Sequence, residues 1–333
     1  MKLSVALVII LCTVAFFIVA CDDKPAGSPT PTETTAPTPS PTATSVPGGS
    51  WERRSPVPTP RSEVGVAELD GLIYVIGGQS PEAGIAVEVY DPATDIWEAV
   101  APLPEHRHHV GAAAVNGKLY VIGGFTGNFV PVNTVYEYDP ATDTWTVKAP
   151  LPTTRGALAV AVVDGKIYAI GGATTPANVA ANEVYDPATD SWEQRAPLPT
   201  PRDHLAATVV NGKIYVIGGR LELSFANNLD ANEEYDPATD TWRSRALLPT
   251  ARSGLAAAAV GGRIYVVGGE ETVGTFIENE VYDPATDSWT AAAPMPTPRH
   301  GLGAATVGGV IYVPAGGPIP GGSQSDANEA FQP

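Results

Sequence analysis

Sulfur chemistry is almost missing from this sequence of 333 residues. Its only two cysteines, Cys12 and Cys21, lie at the very start of the chain. Everything after them lacks a disulfide and a thiol nucleophile. Positive charge is scarce as well, with 19 Lys and Arg against 36 Asp and Glu. Nucleic acid is therefore excluded as a partner, because phosphate binding needs a basic stripe that is absent here. Hydrolase chemistry of the GxSxG type is excluded too, since that motif does not occur.

The first fifty residues differ from the rest. Met1 and Lys2 lead into an apolar stretch, Leu3 to Ala20, which ends in IVAC at Cys21 and is followed by Asp22, Asp23 and Lys24. A positive start, an apolar core and a small residue before the break are the layout of a secretory signal over residues 1–20. FIVAC resembles the bacterial lipobox, which implies that Cys21 becomes the lipidated first residue of the mature chain. An uncleaved membrane anchor is the alternative. Either way the remainder is expected outside the cytoplasm, held to the outer side of the cell membrane or envelope, with the lipid as its only contact with the bilayer. Residues 21–50 are rich in Pro, Thr and Ser and cannot bury enough apolar surface to fold, so they read as a disordered linker.

From residue 51 to 333 one cassette repeats six times. A Trp is followed ten residues later by an Arg, and thirteen after that by a Tyr: Trp51/Arg61/Tyr74, Trp97/Arg107/Tyr120, Trp145/Arg155/Tyr168, Trp192/Arg202/Tyr215, Trp242/Arg252/Tyr265 and Trp289/Arg299/Tyr312. A period of about 47 residues suits four short strands and their turns, the unit of a β-propeller blade. Within a copy, an Ala-rich run, a two-residue turn such as Asn211-Gly212, a run such as KIYVI and a Gly-Gly doublet read as a hairpin. A third strand ending in YDP, a DPATD turn and a Trp strand complete the unit. The small residues of the first strand suit the crowding at a propeller axis.

The doublet followed by Tyr and Trp at set distances, as in Gly77-Gly78, Tyr90 and Trp97, resembles the kelch family. That resemblance implies an all-β fold, a six-bladed propeller with four antiparallel strands per blade. The sixth copy departs, reading IYVPAGG and ending at NEAFQP without a Trp strand, whereas Trp51 to Arg54 form a Trp strand with no blade of their own. Pairing the two closes the ring and removes an exposed edge.

Length varies between copies on one face only. Arg to Tyr is always thirteen residues and the first Asp of DPATD to Trp always six, while the doublet to the third-strand aromatic takes 12 to 16. Binding loops on a rigid scaffold are expected where length varies. On that face, all five His of the chain lie within two positions of the repeated Arg. The candidate ligand-binding residues are Glu63, Gln79, His108, His109, Asp203, His204, Arg220, Glu270 and His300. The resemblance implies the same face, since peptide-binding kelch domains use the residues just after this Arg and just after the doublet. In the sixth copy the residue after the doublet is Pro318. These loop positions are expected to line a wet funnel and carry little packing. The repeated Arg residues, present in every blade, are expected to be scaffold. A metal held by His109, His204 and His300 is the weaker alternative, because no HxH or HExxH spacing supports it.

The leading functional expectation is a non-catalytic, exported recognition module for an extracellular glycan or a peptide or protein, monomeric and without a cofactor. A sugar-processing enzyme resembling the bacterial sialic-acid epimerases is the runner-up, although those carry long insertions that this chain lacks. The copper-radical oxidases of this fold are ruled out by the missing cysteine. A structural envelope protein is the third reading.

Overall fold

A computed structural model describes residues 48–80, 83–175 and 177–333. The signal segment, Cys21 and nearly all of the linker lie outside the described residues. Six four-stranded antiparallel sheets form the ring of a propeller. Blade 1 runs from the innermost strand Gly65–Leu69 through Leu72–Ile76 and Val87–Asp91 to the outermost Ile96–Ala99. In the last blade the outermost strand is Ser50–Arg53, from the N-terminal side, paired with Asn328–Gln332 so that Trp51 faces Phe331. The ring thus closes through the Trp strand, as the unequal ends of the repeat array required.

The core sits between blades rather than at the centre. Tyr74 and Val87 of blade 1 pack with Leu119, Tyr136 and Tyr138 of blade 2, and equivalent clusters fill the other seams. Aromatic pairs cross these seams, such as Tyr74 on Tyr138 at 6.2 Å between centroids. Each described Trp indole donates to a carbonyl of the preceding Trp strand or its exit, as Trp145 does to Ala101 at 2.8 Å. The Ala101 amide in turn donates to Asp143, the second Asp of the DPATD turn, which also accepts from the Tyr138 hydroxyl. The same three-way clamp recurs at Asp190, Asp240 and Asp287.

The Gly doublet is the seam on the loop face. Its second amide donates to the carbonyl of the next blade's repeated Arg, for example Gly78 to Arg107 at 2.9 Å. Gly77 has φ +59°, and a Cβ there would lie 2.6 Å from the Arg107 carbonyl oxygen. In blade 6 it is Ala315 that adopts this conformation, with φ 61°, and Gly316 that bonds to Arg61. The structural doublet is therefore Ala315-Gly316, and the residue opposite His300 is Gly317 rather than Pro318.

Candidate functional site

The repeated Arg residues anchor the loop face from below. Arg61, Arg155, Arg202, Arg252 and Arg299 are fully buried. Each meets the Glu of the third strand's NE or VE pair and the carbonyls of the second strand: Arg61 lies 2.7 Å from Glu88 and donates to Val75 at 3.0 Å. These pairs are scaffold. The partner Glu was missed in the sequence, although it recurs in five of six copies. Blade 2 is the exception, because Tyr136 stands in the Glu position and Arg107 turns to the exposed Glu105.

The residue two after each Arg builds the axial ring: Glu63, His109, Ala157, His204, Gly254 and Gly301. All six have positive φ, between 51° and 63°. Each amide donates to the carbonyl of the equivalent residue one blade back, from His109 to Glu63 at 2.8 Å round to Glu63 to Gly301 at 2.6 Å. Six hydrogen bonds thus close a belt around the axis. Glycine suits this conformation, and two blades use it; Glu, His and Ala carry a strain of about 1 kcal/mol each there. Beneath the ring, the next residues form an apolar collar of Val64, Val110, Leu158, Leu205, Leu255 and Leu302 around a cavity of about 80 Å³.

Eight of the nine sequence-selected residues join in one network at this ring. Glu63 lies 3.2 Å from His109 and 3.3 Å from His300, and His300 lies 3.2 Å from Glu270. Arg220 donates to Glu270 at 2.8 Å, to Asp203 at 3.2 Å and to His204 Nε2 at 2.9 Å. Asp203 and His204 are bonded to each other, as are His108 and His109. Gln79 stands apart: its backbone pairs with Ser62, and its side chain lines a groove on the same face. The expectation of a lightly packed, wet funnel is corrected. Asp203 and His300 are 0% exposed and His108 1%, so the network is interior. The reason is geometric: the loops after the doublets fold over the ring, and Phe129 packs edge-on against His108 at 4.7 Å.

Burial and charge divide the network. Burial pushes the Glu63 carboxyl up, but His109, His300 and His204 outweigh it and hold it well below the usual range. Asp203 is likewise raised by burial and brought down further by His204 and Arg220. Burial keeps His109 well below the ordinary histidine value despite Glu63. At His300 the opposite holds: Glu63, Glu270 and the Ile319 carbonyl overcome burial and raise it. The three-histidine metal set does not come together. Among the described residues, ligand atoms cluster as Glu63, His109 and His204, and as Glu63, Glu270 and His300.

Beside the ring lies a groove of about 300 Å³ lined by Gln79, Ser80, His106, His108, Gly127, Phe129 and Gln324. His106 Nδ1 is buried there without a hydrogen-bond partner. Among the described residues, six of the nine large exposed apolar side chains (Ile85, Phe129, Val130, Val273, Ile277 and Ile319) belong to the loops after the doublets. Sequence reasoning missed Phe129 and Gln324, which no repeat position marks.

The KLHDC2/KLHL20/DRC7 Kelch-repeats domain matches residues 49–219 and 184–317. The chain belongs to the kelch-repeat family. No curated protein matches it in sequence. The solved structure of YjhT superposes with a TM-score of 0.73 at 18% identity, covering 82% of this chain and 95% of that one. At that identity the kinship with YjhT speaks to the fold alone. A kelch propeller is a binding or recognition scaffold, and the site must be argued from its own chemistry.

Proposed function

We propose that the protein is an exported, lipid-anchored recognition module that binds a peptide segment of another protein across the loop face, with the groove at Gln79, His108 and Phe129 as its deepest point. The observation that carries this reading is the concentration of exposed apolar side chains on the loops around a polar-floored groove. Groove volume fits a few side chains. The exposed apolar residues are aliphatic apart from Phe129, Phe225 and Phe276 are only partly exposed and lie against Arg220 and Arg252, and every Trp sits on an outer strand. Sugar rings stack on flat aromatic faces, so the face favours peptide over glycan. The buried network beneath holds the groove floor rigid, which lowers the ordering cost of binding. The FIVAC junction at Cys21 supports the anchor, and a Cys21→Ala variant should no longer take up labelled fatty acid.

The test is a combined peptide and glycan array on the purified protein, repeated with Gln79→Ala/Phe129→Ser. Selective peptide capture by the wild type, lost in the double variant at unchanged melting temperature, is expected. Glycan capture alone, or undiminished capture by the double variant, would overturn the reading.

A further inference from the structure

We propose that Glu63, Glu270 and His300 form a site for one divalent cation, Zn²⁺ by the chemistry of its donors, at the propeller axis. The His300 ring is oriented by Nε2–H, which donates to the Ile319 carbonyl at 3.0 Å. In the neutral ring this leaves the lone pair on Nδ1. That atom faces Glu63 Oε1 at 3.3 Å and Glu270 Oε2 at 3.2 Å, yet it makes no hydrogen bond of acceptable geometry with either. All three side chains are buried. With His300 neutral, three acceptors therefore converge on one buried point, an arrangement that is costly unless a positive charge, a proton on Nδ1 or a metal ion, sits between them.

The two distances from His300 Nδ1 are those between neighbouring ligands of a coordination shell, and all three ligand atoms lie within 4.8 Å of one another. Tetrahedral ligands about 2.0–2.1 Å from a zinc ion stand about 3.3 Å from one another. The surroundings hold each donor in place. Besides the His300 bond to a carbonyl, Glu270 accepts from Arg220 through Oε1 and from the Gly321 amide through Oε2, and the other oxygen of Glu63 rests against His109. Metal ligands are oriented by such partners. Gly301 is part of the arrangement, since a Cβ there would lie 2.5 Å from Glu63 Oε1. One imidazole and two carboxylates suit Zn²⁺, and three protein donors leave a position for water or a ligand oxygen. The site does not depend on what the groove binds, and it would stand if the peptide reading failed.

The experiment uses the full-length protein in detergent, stripped with a chelator, incubated with ZnCl₂ and desalted. One zinc per chain is expected by mass spectrometric metal analysis, together with a higher melting temperature for the loaded form. Glu270→Gln and His300→Gln should weaken Zn²⁺ binding at least about tenfold. Gln79→Ala, in the groove, should bind zinc as the wild type does. Failure of the reloaded wild type to retain zinc overturns the site, a result that needs no variant to fold. A proton still carried on His300 Nδ1 under saturating zinc, seen by ¹⁵N NMR, overturns it as well, as does undiminished affinity in His300→Gln.

Discussion

The two ends of the propeller axis are made by the same six segments and differ in almost every respect. At the loop end the ring residues are Glu, His, Ala and Gly around a cavity of about 80 Å³, closed by its belt of hydrogen bonds. At the other end the innermost strands line an open space of about 350 Å³ with Ala, Val and Thr, and Glu68 is the single charged residue there. A repeat array has to satisfy packing at both ends, and small apolar residues do so at the lower one. The loop end instead buries eight contacts between ionisable side chains and accepts strained backbone. Such groups rarely repay their desolvation in stability alone, an asymmetry that supports the proposed placement of function at the loop end.

The largest expected effect tests the frame that both ends share. Deleting residues 50–55 removes the strand paired with Asn328–Gln332 and the Trp51 indole bond to Ala293, and should collapse the cooperative melt. A melt within a few degrees of wild type would show that the ring does not depend on this closure. Next, Arg220→Ala takes the guanidinium away from the buried Asp203 and Glu270 and should cost about 3–5 kcal/mol in chemical denaturation. Arg263→Ala, whose exposed guanidinium lies 3.6 Å from Asp283, should cost about 1 kcal/mol or less. Equal costs would erase the distinction between network and surface.

Acid sharpens the comparison with the turn face. The Tyr185, Tyr235 and Tyr282 hydroxyls, helped by the Ala149, Ala196 and Ala246 amides, hold Asp190, Asp240 and Asp287 below the ordinary aspartate value. A depressed folded value means that this stability is present above the unfolded pKa near 4 and lost as pH falls through the folded one. Melting temperature should therefore drop below about pH 4, and less steeply in Asp190→Asn/Asp240→Asn. An unchanged slope in that variant would remove the clamps from the account. Smaller still, Ala157→Gly should stabilise by about 1 kcal/mol, because Ala157 holds φ 52° in the ring without joining the polar network. Smallest is Thr208→Val at the lower end, expected within about 0.5 kcal/mol of wild type.

Much of the fold was legible because the repeat constrains it. Strand Lys213–Ile217 matches the KIYVI run residue for residue, and closure followed from a lone Trp strand at one end and a missing one at the other. Eight of nine site candidates were found to share one network, since variable positions beside an invariant Arg mark the axis. What sequence could not give was depth. Whether His300 faces water or a carboxylate depends on how the later loops fold back, and those loops carry no repeat signal. The blade 6 shift was hidden for a related reason: Ala315 takes a conformation that the spacing assigns to Gly.

The assignment of function to the loop end is tested most directly by amide hydrogen exchange with and without the peptide selected from the array. Protection is expected in residues 79–86, 125–134 and 317–327, with the DPATD turns and the innermost strands at the lower end unchanged. Protection confined to those turns or strands, with the loops exchanging as in the free protein, would contradict it.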